Sequence, residues 1–210
     1  MSYAVKEIFY SLQGEGARSG RAAVFCRFAG CNLWSGREED RAAASCTFCD
    51  TDFVGLDGSG GGRFEGPGAL AEAVAAHWPR TSGRPYVILT GGEPALQVDR
   101  PLIDALHDRG FEVAVETNGT LPLPEGLDWI CLSPKGRVPV VLDRADELKL
   151  VYPQAAVSPE RWQDFPAEHH FLQPLDDPAR DSNLRAAADY CLRHPQWRLS
   201  LQTHKLIGIR

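Results

Sequence analysis

Residues 70–116 read LAEAVAAHWPRTSGRPYVILTGGEPALQVDRPLIDALHDRGFEVAVE, and the order of patterns within them decides the fold. Leu70, Ala73, Val74, His77 and Trp78 recur at spacings of three and four, the mark of one helix face. Tyr86–Thr90 then forms a short β-branched and aromatic run that reads as a buried strand. Leu102, Ala105, Leu106 and Arg109 return to helical spacing, and Gly110 stops them. Phe111–Glu116 reads as the next strand. Helix, strand, helix, strand in that order favours a mainly parallel sheet with helical crossovers.

Outward from this stretch, Ala22–Phe28, Asp128–Ser133, Glu147–Tyr152, His169–Gln173 and Trp197–Gln202 read as further strands. Leu184, Ala187, Ala188, Cys191 and Leu192 mark a third helix that ends before Pro195. Helical signals are thin between Leu127 and Gln173, and 210 residues fall short of the roughly 250 of an eightfold barrel. The expectation is an α/β fold, an incomplete (open) β/α barrel reduced in helices. No repeat or linker divides the chain, so residues 1–210 are expected to form a single domain. Val54–Pro67, with its run GLDGSGGGRFEGP, reads as a flexible loop. In parallel β/α folds, sites form where strands end, which flags Thr90, Glu116, Ser133 and Gln173.

Composition narrows the function class. Apolar residues make up 43% of the chain and charged residues 24%, ordinary values for a folded protein. A formal charge of −6 makes nucleic acid a poor partner. The stretch MSYAVKEIFYSLQGEG lacks the basic and apolar regions of a signal peptide, and no run approaches a membrane span. A cytoplasmic protein without a membrane partner is expected.

Of six cysteines, Cys26, Cys131 and Cys191 sit in apolar contexts and read as buried small hydrophobes. Cys31, Cys46 and Cys49 follow the spacing C-x14-C-x2-C. Two thiolates two residues apart can converge on one metal centre. Three cysteines without a fourth suit an iron–sulfur cluster with one open iron. Zinc with a remote fourth ligand such as Cys26 stays open on spacing alone. Thr90-Gly91-Gly92-Glu93-Pro94 ends a strand with two glycines that let backbone approach a ligand, and Glu93 can accept from an ammonium group. The plainer reading of this run is a glycine turn with an exposed glutamate.

Taken together, these residues resemble the radical S-adenosylmethionine (SAM) superfamily and, within it, the 7-carboxy-7-deazaguanine synthase family of deazapurine biosynthesis. The resemblance rests on Ser11-Leu12-Gln13-Gly14-Glu15-Gly16, Arg27–Leu33, Cys46-Thr47-Phe48-Cys49-Asp50-Thr51, Thr90–Pro94, Glu116-Thr117-Asn118-Gly119 and Ser133-Pro134-Lys135. Glu147-Leu148-Lys149 and Gln173-Pro174 match more loosely. The superfamily's usual first gap is much shorter than the fourteen residues Asn32–Ser45 found here. The inserted SGREEDRAAAS contains helix formers and is expected to loop out as a short helix, with Trp34 and Arg37 packing at the surface.

The resemblance implies a 4Fe–4S cluster on Cys31, Cys46 and Cys49, within a cluster loop spanning residues 31–51. It implies SAM bound by Phe48, Asp50, Gly91, Gly92, Glu93, Ser133, Pro134, Lys135 and Gln173, and Mg2+ at Thr51. The implied reaction contracts the ring of 6-carboxy-5,6,7,8-tetrahydropterin to 7-carboxy-7-deazaguanine with loss of ammonia, on the route to queuosine. A deoxyadenosyl radical starts it, and SAM is regenerated. The substrate would be held by Leu12, Gln13, Gly14, Glu15, Arg27, Thr90, Glu116, Asn118, His204 and Arg210. Arg27 would meet the substrate carboxylate. A closing tail at residues 203–210 would bring a carboxylate of Arg210 to the aminopyrimidine edge. A one-electron donor protein and a homodimer are the implied partners. Two rivals stand beside this reading: an activase that installs a glycyl radical on a partner protein, and a zinc-stabilised binding domain.

Overall fold

In the computed structural model, which describes residues 2–79, 83–154 and 156–210, nine strands form one sheet in the order β3-β1-β2-β4-β5-β6-β7-β8-β9. The strands are β1 (Ser2–Leu12), β2 (Ala22–Phe28), β3 (Gly62–Glu65), β4 (Tyr86–Gly91) and β5 (Glu112–Thr117), then β6 (Trp129–Leu132), β7 (Ala145–Tyr152), β8 (Ala167–Pro174) and β9 (Arg198–Leu199). From β2 through β4 to β9 every pairing is parallel, while β1 runs antiparallel to both β2 and β3. The sheet stays open, with β3 at one edge and β9 at the other. That is the open β/α architecture read from the alternation. Among the described residues, no helix is long and apolar enough to cross a membrane.

The helices are α1 (Pro67–His77), α2 (Arg100–His107), the short α3 (Pro159–Trp162), α4 (Arg180–Arg193) and the short α5 (Thr203–Ile207). Helices α1 to α4 pack on the outer face, and α5 lies at the cavity. Local chemistry starts α2: Asp99 accepts from the Leu102 amide at 3.0 Å, and Pro101 sits in the first turn. The Tyr3 hydroxyl ties the same cap to β1 by donating to Asp99 at 2.6 Å. Two apolar layers result. Leu70, Val74, Leu102, Ile103 and Leu106 pack on Val24, Val87, Leu89 and Val115, all buried. Ala187 and Tyr190 of α4 pack on Leu148, Leu150 and Leu172.

Strand period then dictates the inner face. In β4, Val87 and Leu89 join the outer core, while Tyr86 and Ile88 turn inward with Ala23 and Ala114. The amino-terminal end of the interior is closed by charge rather than by apolar bulk. Glu112 on β5 pairs with Arg21 at 2.6 Å and with Arg18, whose guanidinium lies 4.2 Å from the Trp129 ring. The arginine hydrogen bonds hold the Glu112 carboxyl down at about 2, from an ordinary 4.5. A carboxyl depressed in the fold stabilises it above the unfolded value and loses that contribution as pH falls through the folded one. Urea titrations between about pH 5 and pH 2 should show wild type losing about 1–2 kcal/mol more than Glu112→Gln, after solvent screening. Parallel acid limbs would contradict this.

Two sequence expectations change. The glycine-rich run is a loop only over residues 54–61, because Gly62–Glu65 forms β3 against β1. The Ile8 amide donates to Ser59 O at 2.7 Å and the Gly58 amide to Lys6 O at 3.0 Å. A Cβ on Gly61 would overlap Lys6 O and lie 2.7 Å from Leu56 O, so glycine is what lets this run lie flat on β1. The expected strand Trp197–Gln202 shrinks to Arg198–Leu199. The Ser200 amide still donates to Leu172 O at 2.9 Å, but its hydroxyl accepts from the Gly16 amide, and the chain leaves the sheet there.

Candidate active site

The inward residues at the carboxyl ends of successive strands are Arg27, Thr90, Glu116, Cys131, Lys149 and Gln173, and all line one cavity of about 360 Å³. Their register follows from period two: Arg27 stands opposite Thr90, Glu116 opposite Cys131, and Val151 opposite Gln173. A polar cavity at strand ends is where this architecture forms sites. The residues expected to bind line it throughout, with two exceptions, Glu93 and Pro134.

The cluster loop enters after β2. Cys31, Cys46 and Cys49 all reach the cavity wall. Burial pushes the Cys31 and Cys46 thiols up, partly offset at Cys31 by the Leu33 and Trp34 amides and at Cys46 by the Lys135 ammonium. Among the described residues, no three His, Cys, Asp or Glu side chains converge closely enough to share one ion. Three thiols on one wall match the ligand number of a cluster that keeps one iron open. Cys26, the candidate fourth zinc ligand, is fully buried in the outer core instead. The donor set therefore fits a 4Fe–4S group.

The inserted segment forms a 3-10 helix, Glu38–Ala43. Its Arg41 donates to Glu38 at 2.8 Å and to the carbonyls of Thr47 and Cys49, each at 3.1 Å. The same guanidinium lies 4.0 Å from the Trp34 ring. Trp34 is buried, stands edge-on to Phe53 and lines the cavity, so the expected surface packing is corrected for it. The insertion clamps the cluster loop, and an indole buried against Phe53 braces it from within.

The expected ammonium acceptor is held by its neighbours on two strands. Glu93 is fully buried and lies behind the cavity wall. Its carboxylate accepts from Thr117 Oγ1 at 2.6 Å, the Asn118 amide at 2.8 Å and the Ala95 amide at 2.9 Å. Burial nonetheless pushes its pKa up. Glu93 ties the end of β4 to the end of β5, leaving backbone at Gly91 and Gly92 to face the cavity. It is neither the exposed turn glutamate nor a wall carboxylate. Pro134 is likewise buried behind Ser133 and Lys135. Lys135 donates to Ser133 O at 3.1 Å and to the Ser133 hydroxyl; burial lowers its pKa against the pull of the Cys46 thiol.

On the opposite wall, the Gln13 amide group donates to Glu116 at 2.9 Å, and Thr90 Oγ1 donates to Glu116 at 3.4 Å. Arg27 Nε donates to Glu7 at 2.8 Å, and Arg210 pairs with the other Glu7 oxygen. The Arg210 carbonyl oxygen accepts from Ser11 Oγ at 2.5 Å, which seats the last residues at the cavity rim. His204 packs its ring against Gly14, and Thr203 donates from its amide to Gly14 O at 2.9 Å. Leu12, Asp50, Thr51, Phe48 and Asn118 complete the wall.

Sequence reading missed Glu7, Cys131, Lys149, Gln202 and Lys205 on this wall. Lys149 carries the signal that was available: a lysine with apolar neighbours on both sides in a strand, at an inward position. Cys131 read as a plain buried hydrophobe, yet its thiol faces inward and donates to Glu147 at 3.3 Å. Lys205, on α5, pairs with Asp50 and Asp176 at 2.6 Å each, which ties the closing segment to the cluster loop.

No family model matches the chain. It is 64% identical over 209 residues to the 7-carboxy-7-deazaguanine synthase of Bordetella pertussis, covering 100% of each chain. It is also 64% identical over 210 residues to the 7-carboxy-7-deazaguanine synthase of Bradyrhizobium diazoefficiens, again covering 100% of both. The solved structure of QueE from Escherichia coli superposes with a TM-score of 0.70 at 27% identity, covering 96% of this chain and 94% of that one.

Proposed function

The chain belongs to the 7-carboxy-7-deazaguanine synthase family, and from that premise we infer which of its residues do the family's work. It is a radical SAM enzyme that contracts 6-carboxy-5,6,7,8-tetrahydropterin to 7-carboxy-7-deazaguanine with loss of ammonia, in queuosine-precursor biosynthesis. Its cofactors are a 4Fe–4S cluster and SAM. When bound, they supply one-electron cleavage of SAM to a carbon-centred radical. The relatives match over their full length, which removes the activase and zinc-domain rivals.

The residue roles are our reading of the cavity. Cys31, Cys46 and Cys49 hold the cluster. Backbone at Gly91 and Gly92 accepts from or donates to the methionine end of SAM, with Glu93 as the buried strut that sets it. Ser133, Lys135 and Gln173 meet the ribose and carboxylate, while Phe48 and Asp50 close over SAM from the cluster loop. The pterin lies against Leu12, Gln13, Gly14, Glu15, Thr90, Glu116, Asn118 and His204. Arg27 meets the substrate carboxylate, supported by terminal guanidinium nitrogens that carry no partner among the described residues. Arg210 lines the pterin end of the rim, and residues 203–210 act as its closing segment. Thr51 and the substrate carboxylate are oxygen donors of the kind Mg2+ prefers, and Thr51 is the residue that would hold the ion.

Residues 1–210 act as one radical SAM domain in this reading. A separate one-electron donor protein feeds the cluster, because neither substrate nor SAM supplies that electron. Free thiols at all six cysteines support a reducing, cytoplasmic location. Exposed Leu206, Ile207 and Ile209 give apolar surface for a homodimer.

The observation that carries the reading is the three thiols and the strand-end polar residues around one cavity. The test is anaerobic reconstitution with iron and sulfide, then SAM, Mg2+, reductant and 6-carboxy-tetrahydropterin, followed by mass spectrometry. Formation of 7-carboxy-7-deazaguanine with little SAM consumed is expected. Deoxyadenosine without that product would sink the substrate, and zinc without iron would sink the cluster.

A further inference from the structure

The sheet is open between its edges, and one loop bridges the interior to shut it. After β1, residues 13–17 turn inward. The Gly16 amide donates to Ser200 Oγ at 2.9 Å and the Ala17 amide to Glu147 Oε2 at 2.8 Å. At the centre of this loop, Glu15 meets Lys149 of β7 at 2.5 Å and accepts from Gln202 at 3.0 Å. Lys149 Nζ also lies 3.9 Å from Glu116 of β5, and its side chain is only 5% exposed. A single buried ammonium therefore stands between two carboxylates that reach the same cavity from opposite sides of the seam.

We propose that Lys149 is the positioning residue for pterin recognition: it latches Glu15 across the open seam and keeps Glu15 and Glu116 together as a pair of charged acceptors for the ring's N–H edge. The proposal rests on the synthase reading above and deepens it. Two ionised carboxylates beside each other repel, and in a buried site one would take up a proton. A protonated carboxyl turns one acceptor oxygen into a donor and loses its charge, so it holds an amino group more weakly. The ammonium between them offsets that repulsion, with Gln13 donating to the same Glu116 oxygen that Lys149 approaches. The charged and titratable groups facing Lys149 are Glu15, Glu116, Cys131 of β6 and Glu147 of its own strand, with Lys135 farther off. His204 of α5 faces Glu15. Burial alone would raise the Glu15 carboxyl, yet Lys149 first, then Gln202, bring it down to about 2.

The test uses Lys149→Met in the reconstituted holoenzyme. Wild type must first make product; if it does not, the synthase reading fails and Lys149 is not the cause. With active wild type, the variant should raise the pterin KM about 30-fold near pH 6.5 and several-fold less near pH 8.5, as the carboxyls regain charge. The SAM KM and iron content should stay at wild-type values. The Kd of the unreactive 6-carboxypterin, measured by calorimetry, should follow the KM. An unchanged pterin KM and Kd overturns the proposal. So does a loss that is equal at both pH values and shared by SAM and iron, because that is general damage. Where Lys149→Met does not fold, Glu15→Gln serves instead. It leaves Lys149 paired with Glu116, and should raise the pterin KM and Kd about tenfold at unchanged SAM KM. Unchanged pterin binding in that variant overturns the latch.

Discussion

Replacing Cys46 with alanine is expected to leave the reconstituted protein colourless and product formation at least about a thousandfold lower. Cys46 is the most buried of the three cluster thiols, at 5% exposure, and it sits at the end of the inserted segment. Its amide donates to Leu33 O at 3.4 Å. Removing the thiol takes one of three irons' protein ligands away and leaves an apolar methyl facing Lys135. The fold itself should persist, because Cys46 lies outside both apolar layers of the sheet. Iron analysis, visible absorbance and far-ultraviolet circular dichroism measured together separate these effects. A brown, active Cys46→Ala protein would disprove the cluster assignment.

Gly92→Ala is the second large effect, and it comes from backbone contact. Gly92 lies where the end of β4 meets the loop that begins the cluster site. The Gly92 amide donates to Phe28 O at 3.2 Å and the Glu93 amide to Gly30 O at 2.9 Å. A Cβ at position 92 would overlap Gly30 O, lie 2.5 Å from Gly30 C and 2.9 Å from the Cys31 Cβ. These are main-chain atoms and a cluster ligand, so no flexible side chain can swing away. The methyl must push Cys31 and its loop outward. A displacement near 1 Å at a reacting centre costs about a hundredfold in rate. Turnover should fall by about that factor and iron retention should drop, while the melting temperature falls only slightly. Normal turnover with full iron would show that the two segments are not locked together.

How much of this was legible beforehand divides along a physical line. Thr90, Glu116 and Gln173 were readable as site residues because a polar side chain where an apolar strand runs out is a local pattern. The three thiols were readable from spacing and company. Trp34 was not, because nothing near it in sequence says that Arg41 and Phe53 will sandwich it. Glu93 was readable as an acceptor beside two glycines, but not that Thr117 and the Asn118 amide, from the next strand, would hold its carboxylate. β1 and β3 escaped notice because SYAVKEIFYSL mixes charges with apolar residues and GRFE is short.

The sequence by itself determined the parallel order of strands and helices, the spacing of the three candidate cysteines and the polar strand ends, since period and spacing are properties of neighbours along the chain. Only the tertiary structure decided that Gly62–Glu65 joins the sheet, that Glu93 ties β4 to β5, and that Lys149 stands between Glu15 and Glu116. The Lys149–Glu15 contact joins residues 134 apart, and the Gly14–Thr203 contact joins residues 189 apart. Pairings at that separation are selected by the folded sheet, which brings buried charges together and makes each one acceptable only beside its partner.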